Sequence, residues 1–329
     1  MVRQGSADLR PDGHVLSAKR HYVIFNPASG RGRGAARIDT YRSLLGESLD
    51  DVTFGLTERP GGERELAEKA VADGYDVIVA VGGDGTWSNV ADRLLASERD
   101  DVTLGLLPNG TGNDFGRNFG YDPKNPAEAV RVLAEGHTCQ IDVGRLDTPT
   151  ASEHDPSLSE PRHFLNLIGF GFDIAVIDAA ANARFLKGEL LYKITALQQL
   201  FRFPGITAAV HSGAGEERDR HQLMLTISNG RYFGGGFPIA PGARVDDGRL
   251  HACMIGDAPP LTRLKLFNQA EKGRHVESDR VEVIDDASFR ISFPAPPRFE
   301  MDGDVRTSQV TELEVRSMPG ALRVAAPAR

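Results

Sequence analysis

The chain has 329 residues, 40% of them hydrophobic, and a formal net charge of −8. That length suits two domains with real cores, and the acidic balance argues against bulk nucleic-acid binding. No apolar run reaches the ~18 residues of a membrane span, the first residues carry no secretory core, and the only cysteines, Cys139 and Cys253, lack metal-ligand spacing. A cytoplasmic, disulfide-free protein is expected.

Residues 1–19 read as a disordered lead-in. Tyr22 to Phe25 is a short apolar strand, ended by Asn26-Pro27-Ala28-Ser29-Gly30. Arg31 and Arg33 lie just beyond, placed to pair with phosphate or simply to sit in solvent, and a helix follows from about Ala35 to Leu45. Val52, Phe54 and Leu56 alternate as a second strand that stops at Thr57. Gly61 to Ala72 reads as a helix with Gly74 as its stop. The chain is organised around 76–89: a β-branched run, Val77 to Val81, then Gly82-Gly83-Asp84-Gly85-Thr86-Trp87-Ser88, then Val90, Ala91, Leu94 and Leu95 at helical spacing. A buried strand, a glycine loop and a helix start offer free N–H groups and a positive dipole end to an anion. The competing reading is a tight turn that needs glycine for φ > 0. A fourth strand, Leu104 to Leu107, leads into Pro108-Asn109-Gly110-Thr111-Gly112-Asn113-Asp114-Phe115, and a helix runs from Pro126 to Glu135. No Gly-x-x-x-x-Gly-Lys-[Ser/Thr] occurs, so this is not a P-loop. The rhythm predicts an α/β, doubly wound parallel sheet with its three loops along one edge.

From Thr138 short alternating runs predict a β-rich second domain, a sandwich: Cys139–Val143, Phe164–Ile168, Ile206–His211, Leu223–Ser228, Leu250–Met254, Val281–Ile284, Phe289–Phe293 and Leu313–Arg316. Residues Thr148 to Arg162 read as a solvated hairpin loop. One helical stretch, Arg184 to Phe203, puts Leu186, Leu190, Leu191, Ile194, Leu197 and Phe201 on one face. That face either packs on the sandwich or lies on a membrane surface.

Asn26-Pro27-x-Ser29-Gly30, Gly82-Gly83-Asp84-Gly85-Thr86 and Pro108-x-Gly110-Thr111-x-Asn113-Asp114-Phe115 resemble three motifs of the diacylglycerol kinase catalytic-domain family, bacterial lipid kinase branch. Asn166-x-x-Gly169-x-Gly171-Phe172-Asp173, Gly234-Gly235-Gly236, Ala240-Pro241-x-Ala243, Asp247-Gly248-x-Leu250 and Asp302-Gly303-Asp304 resemble its second half. The resemblance implies an ATP-binding α/β domain over 20–142, rejoined by about 312–329, and a β-sandwich catalytic domain over 143–311, with the site between them. It implies transfer of the γ-phosphoryl of ATP to a lipid hydroxyl at the membrane surface, diacylglycerol first among acceptors, with Mg2+. A homodimer is compatible with it.

The implied nucleotide contacts are Asn26, Ser29, Thr57, Gly82, Gly83, Asp84, Gly85, Thr86, Trp87, Ser88 and Thr111. Asp84 is assigned a metal-linked role, against the alternative that it caps the following helix. Asp302 matches the family's proton acceptor; a plain Asp-Gly hairpin is the alternative. Asp304 stands in a supporting catalytic role where the family has glutamate, and Asn89 also replaces a family glutamate. A structural Mg2+ is implied at the Arg244 carbonyl, the Asp247 carboxylate and the Arg249 carbonyl. His275 is taken as structural. The other readings are an NAD kinase-like enzyme, which shares the glycine loop, and a non-catalytic nucleotide-binding relative.

Overall fold

The computed structural model describes residues 19–328, apart from 31, 33, 98, 121, 123–124, 149, 153–161, 183–188, 214 and 216. The predicted lead-in up to residue 18, Arg31, Arg33, most of the 148–162 loop and the start of the 184–203 helix thus lie outside the described residues.

Strands β1 (His21–Phe25), β2 (Val52–Leu56), β3 (Val77–Gly82) and β4 (Thr103–Pro108) form a parallel sheet in the order β2-β1-β3-β4. β3 and β4 are buried along their whole length, because helices cover both faces. Helices α1 (Ile38–Ser48) and α4 (Pro126–Glu135) pack Tyr41, Leu45, Val130 and Leu133 onto Val23, Phe25, Val79 and Val81. Helices α2 (Gly62–Ala72) and α3 (Asp84–Leu95) pack Ala67, Ala70, Val90 and Leu94 onto Ile24, Ile78 and Ala80. The alternation along β3 serves the two faces in turn. The predicted first helix opens as a 3-10 turn, Gly34–Arg37. α4 starts where predicted because the Asn125 side chain accepts the Glu128 N–H beside Pro126, and it stops at Gly136 in left-handed backbone.

The next place in this sheet is filled from the far end of the chain. A 14-residue strand, Glu312–Ala325, sets Arg323 and Val324 parallel to Thr103 and Leu104. Its first part pairs with Ser288–Ser292 in the second half. Strand Thr138–Leu146 runs antiparallel beside it, across a register shift between Met318 and Leu322. One strand thus belongs to both halves of the molecule.

The second half is β-rich, as expected, around Phe164, Phe170, Ile227, Phe289, Phe299 and Leu313. Two unpredicted helices, Phe172–Asn182 and Pro260–Ala270, join Glu189–Arg202 on its other side. In that last helix Ala196 and Leu200 pack inward, whereas Leu197 and Phe201 are 46% and 51% exposed. The helix does pack on the β-rich half, but this part of its predicted apolar face points outward. The predicted strand Phe164–Ile168 is split in two. Arg162–Phe164 pairs with Gly144–Leu146, and Leu167–Gly171 pairs with Met224–Ser228. The break frees the backbone N–H groups of Leu165, Asn166 and Leu167 from the strand ladder.

Candidate active site

The loops after β1, β3 and β4 meet at the carboxyl edge of the sheet. The Asn26 side chain donates to Thr86 Oγ1 at 3.0 Å, and Ser29 Oγ donates to the Asn109 carbonyl at 3.2 Å. The N–H groups of Asn109 and Gly110 both donate to the Gly82 carbonyl. The glycines have a specific cause. A Cβ on Gly110 would stand 2.4 Å from Gly83 Cα, one on Gly83 would stand 3.1 Å from Gly110 Cα, and one on Gly82 would stand 2.5 Å from Thr86 Cβ. None of Gly82, Gly83 and Gly85 has positive φ. The turn reading is therefore set aside: Gly83 and Gly110 let two loops touch backbone to backbone, and Gly82 leaves room for the Thr86 side chain. The left-handed non-glycine residue in these loops is Asn113, at φ +52°, whose amide bonds Gly110 in both directions.

Asp84 does not cap α3. Gly83 holds the capping position, and Asp84 Oδ1 instead accepts the Phe115 N–H at 2.9 Å, tying the two glycine loops together. Asp114 faces it across Gly112, where a Cβ would lie 3.2 Å from Asp114 Oδ2 and 3.4 Å from Asp84 Oδ2. Burial, then the charge of Asp84, pushes Asp114 up to about 7; burial also raises Asp84. Asp114 is partly compensated, since its Oδ1 lies 3.3 Å from Arg117 Nε and its Oδ2 accepts the Gly235 N–H at 2.8 Å; two carboxylates this close are still a donor pair that fits a divalent cation. Asp114 was absent from the expected ligands, although a second carboxylate in a second glycine loop was a usable signal.

Opposite these loops stands the turn at Asp302. Its Oδ2 accepts the Leu165 N–H at 2.6 Å, and Oδ1 accepts those of Asn166 and Leu167, each at 3.0 Å. These are the groups freed by the broken strand. Asp302 is 3% exposed and adopts φ +49°. Burial outweighs the three N–H bonds and pushes its carboxyl up to about 6. A Cβ on Gly85 would come within 3.3 Å of the Asp302 carbonyl oxygen, so this turn lies directly against the first glycine loop.

Asp304 pairs with the fully buried Arg306 at 3.0 Å. Nearby, Arg162 is 3% exposed rather than part of a solvated loop: it donates to Asn89 Oδ1 at 2.7 Å and lies 3.4 Å from Asp92. Burial opposes the charge of Asp92, yet His163, Arg162, Arg64 and Arg93 hold its carboxyl below the usual range. Asn89 also donates to Glu63 Oε1 at 2.7 Å. The carboxylate that relatives are expected to carry on α3 is thus met here from α2. Asn89→Glu should set two carboxylates against each other and destabilise the fold by about 1–3 kcal/mol. Adding Glu63→Gln should recover most of that loss; a thermal melt in which the pair is no better than the single change would refute the exchange.

Two expected nucleotide contacts are turned away. Trp87 is fully buried in the core, and its indole N–H donates to the Ala80 carbonyl. Ser88 bonds the His163 carbonyl and so joins the two halves. Helix geometry explains both, since they follow the loop by less than a turn and point at the sheet and the β-rich half. Thr86 is buried beside Asn26, Thr57 is buried at the end of β2, and Thr111 is exposed on its loop. Arg244, Asp247 and Arg249 lie in one turn, where Asp247 Oδ1 accepts the Arg249 N–H at 3.0 Å. The unpredicted Asp142 braces that turn, accepting the N–H groups of Gly248 and Gly320 at 2.6 and 2.8 Å. Asp247 is exposed, and one carboxylate beside turn carbonyls is a donor set that fits a hard cation. His275 is buried with Nε2 3.0 Å from the Ile239 carbonyl, a packing role.

An α/β domain with clustered glycine loops, joined to a β-rich domain with a buried aspartate turn, is the plan of a nucleotide-dependent kinase. Residues 20–146 match the diacylglycerol kinase catalytic domain, and 166–326 match the YegS C-terminal NAD kinase beta sandwich-like domain. A diacylglycerol kinase of Mycobacterium tuberculosis is 31% identical over 314 residues, covering 94% of this chain and 97% of its own. A protein of Xanthomonas oryzae named probable lipid kinase YegS-like is 31% identical over 277 residues, covering 83% and 85%. The crystal structure of a diacylglycerol kinase from Bacillus anthracis superposes with TM-score 0.68 at 19% identity, over 95% of this chain and 98% of that one. Yeast NADH kinase shares the fold with TM-score 0.51 at 12% identity. The chain belongs to the diacylglycerol kinase catalytic-domain family of lipid kinases.

Proposed function

We propose that the protein transfers the γ-phosphoryl of ATP to a lipid hydroxyl, with diacylglycerol as the first acceptor to test and phosphatidic acid as its product. The carrying observation is the approach of the Asp302 turn to Gly85, 3.3 Å from that glycine's Cβ position. It supports a site in which a base on one domain meets a triphosphate on the other. In this reading residues 20–142 with about 312–329 hold ATP, and 143–311 bring the acceptor. Asn26, Thr86 and Thr111 donate to phosphate oxygens beside the N-terminus of α3, as does Ser29 when its hydroxyl turns from the Asn109 carbonyl, with Thr57 and the backbone of Gly82, Gly83 and Gly85 at the same edge. Asp84 and Asp114 would hold one Mg2+, and Asp247 with the carbonyls of Arg244 and Arg249 a second. When bound, the metal neutralises phosphate charge.

Asp302 takes the proton of the lipid hydroxyl, the new oxygen–phosphorus bond forms, and the bond to the β–γ bridging oxygen breaks to release ADP. Asp304, paired with Arg306, steadies the strand that follows the base. A base near 6 must be ionised to act, so kcat/KM should fall as the pH drops through about 6 and stay level above it. ADP release is measured with diacylglycerol vesicles, with NAD, and with neither. Release with vesicles supports this reading, release with NAD favours the NAD kinase-like alternative, and release with neither favours a nucleotide-binding relative.

The exposed Leu197 and Phe201 support docking of a cytoplasmic protein on the bilayer surface during turnover. The double variant Leu197→Ser/Phe201→Ser should keep ATP binding and lose vesicle co-sedimentation by about tenfold or more. Undiminished sedimentation would remove this helix from the docking face.

A further inference from the structure

Next to Asp302 lies a second pair of carboxyl groups. Glu300 and Asp173 are each 4% exposed. Glu300 Oε1 accepts the N–H of Gly303, and Glu300 Oε2 has no hydrogen-bond partner among the described residues; the Asp173 carboxylate has no close hydrogen bond among them and is touched only weakly by the N–H groups of Asp173 and Ile174 at its own helix start. Both groups enter the space left by Gly169, which pairs with Glu300 across the strands. A Cβ there would stand 2.2 Å from Asp173 Oδ2 and 3.5 Å from Glu300 Oε2. The charges that act on Glu300 are negative, those of Asp173, then Asp302 and Asp84. Of the nearby cations, Arg298 is turned to Asp178 and Arg306 to Asp304. Two carboxylates in such a pocket do not both stay charged.

We propose that Glu300 and Asp173 hold one proton between them, and that Glu300, through Gly303, is a positioning residue that locks the Asp302 turn. Only the second clause rests on the reading of Asp302 as the base. A non-glycine residue holds φ +49° only where its surroundings fix it, and the Glu300–Gly303 bond supplies that constraint one residue away. Burial, then the charge of Asp173, raises Glu300 well above the usual range, and burial raises Asp173 to about 7. A carboxyl raised in the folded state contributes stability below its unfolded pKa and loses it as the pH rises through the folded value.

Two measurements test this. The melting temperature of the unaltered protein should fall more between about pH 6 and pH 9 than that of Glu300→Gln or Asp173→Asn, in which an amide N–H replaces the shared proton. Equal falls would overturn the shared proton. In the lipid kinase assay Glu300→Gln, which keeps the acceptor for Gly303, should hold kcat within about threefold. Glu300→Leu should lower kcat by about tenfold or more with KM for ATP unchanged. Equal loss in both variants, or normal kcat in Glu300→Leu, would overturn the positioning role. The melting comparison needs no turnover, so an inactive parent protein would sink the kinase reading while the proton pair is still judged on its own.

Discussion

Replacing Asp302 with asparagine should lower turnover by about 10²–10⁴-fold while ATP affinity holds, the loss expected when a general base is removed. The geometry makes the variant informative. Asn166 and Leu167 donate to one carboxylate oxygen, which the amide oxygen can replace, so only the Leu165 bond is lost. That loss costs about 1–3 kcal/mol, which a thermal melt will register without loss of the fold. Single-turnover kinetics and ATP titration separate chemistry from binding. A variant that binds ATP and turns over normally removes Asp302 from the reaction, and one that loses ATP binding assigns the turn to the nucleotide instead.

A single methyl group on Gly110 should abolish nucleotide binding. It would stand 2.4 Å from Gly83 Cα and 2.8 Å from Asn113 Oδ1, and the first of these is backbone that cannot swing aside. Overpacking of this kind costs about 1–3 kcal/mol even where side chains can move. The relief available here is to part the two loops, which also pulls Asp84 from Phe115 and widens the phosphate edge. Gly46→Ala, in α1 with nothing within 4 Å, should leave ATP binding untouched and is the matched control. Unimpaired ATP affinity in Gly110→Ala would show that loop contact does not shape the site.

Much of the first domain is legible from residues alone. The apolar runs before Gly82 and Pro108 mark buried strands, and the helix expected from Pro126 to Glu135 has those ends. The loops could be located but not understood. Glycine next to a helix start suggests space for phosphate, whereas the missing side chain of Gly83 makes room for the loop at Gly110. Trp87 and Ser88 follow the motif in sequence yet face away from it, because a helix turns about 100° per residue. The largest gaps are long-range. Nothing local distinguishes Arg162 from a loop arginine before Asp92 and Asn89 are folded around it. Nor does 164–168 announce the break that turns three N–H groups toward Asp302. Glu300 reads as an ordinary strand residue until Asp173 is brought beside it from another element.

The 14-residue strand Glu312–Ala325 carries a further consequence for biosynthesis. While the chain emerges from the ribosome, β4 presents a bare edge, and its neighbour arrives only when Glu312–Ala325 has been made. Until then the nascent nucleotide domain exposes unpaired backbone of the sort that recruits strands from other chains. Completion of that domain therefore waits for residues far beyond its own loops, and a product cut short before 312 would retain every loop motif yet be prone to clump.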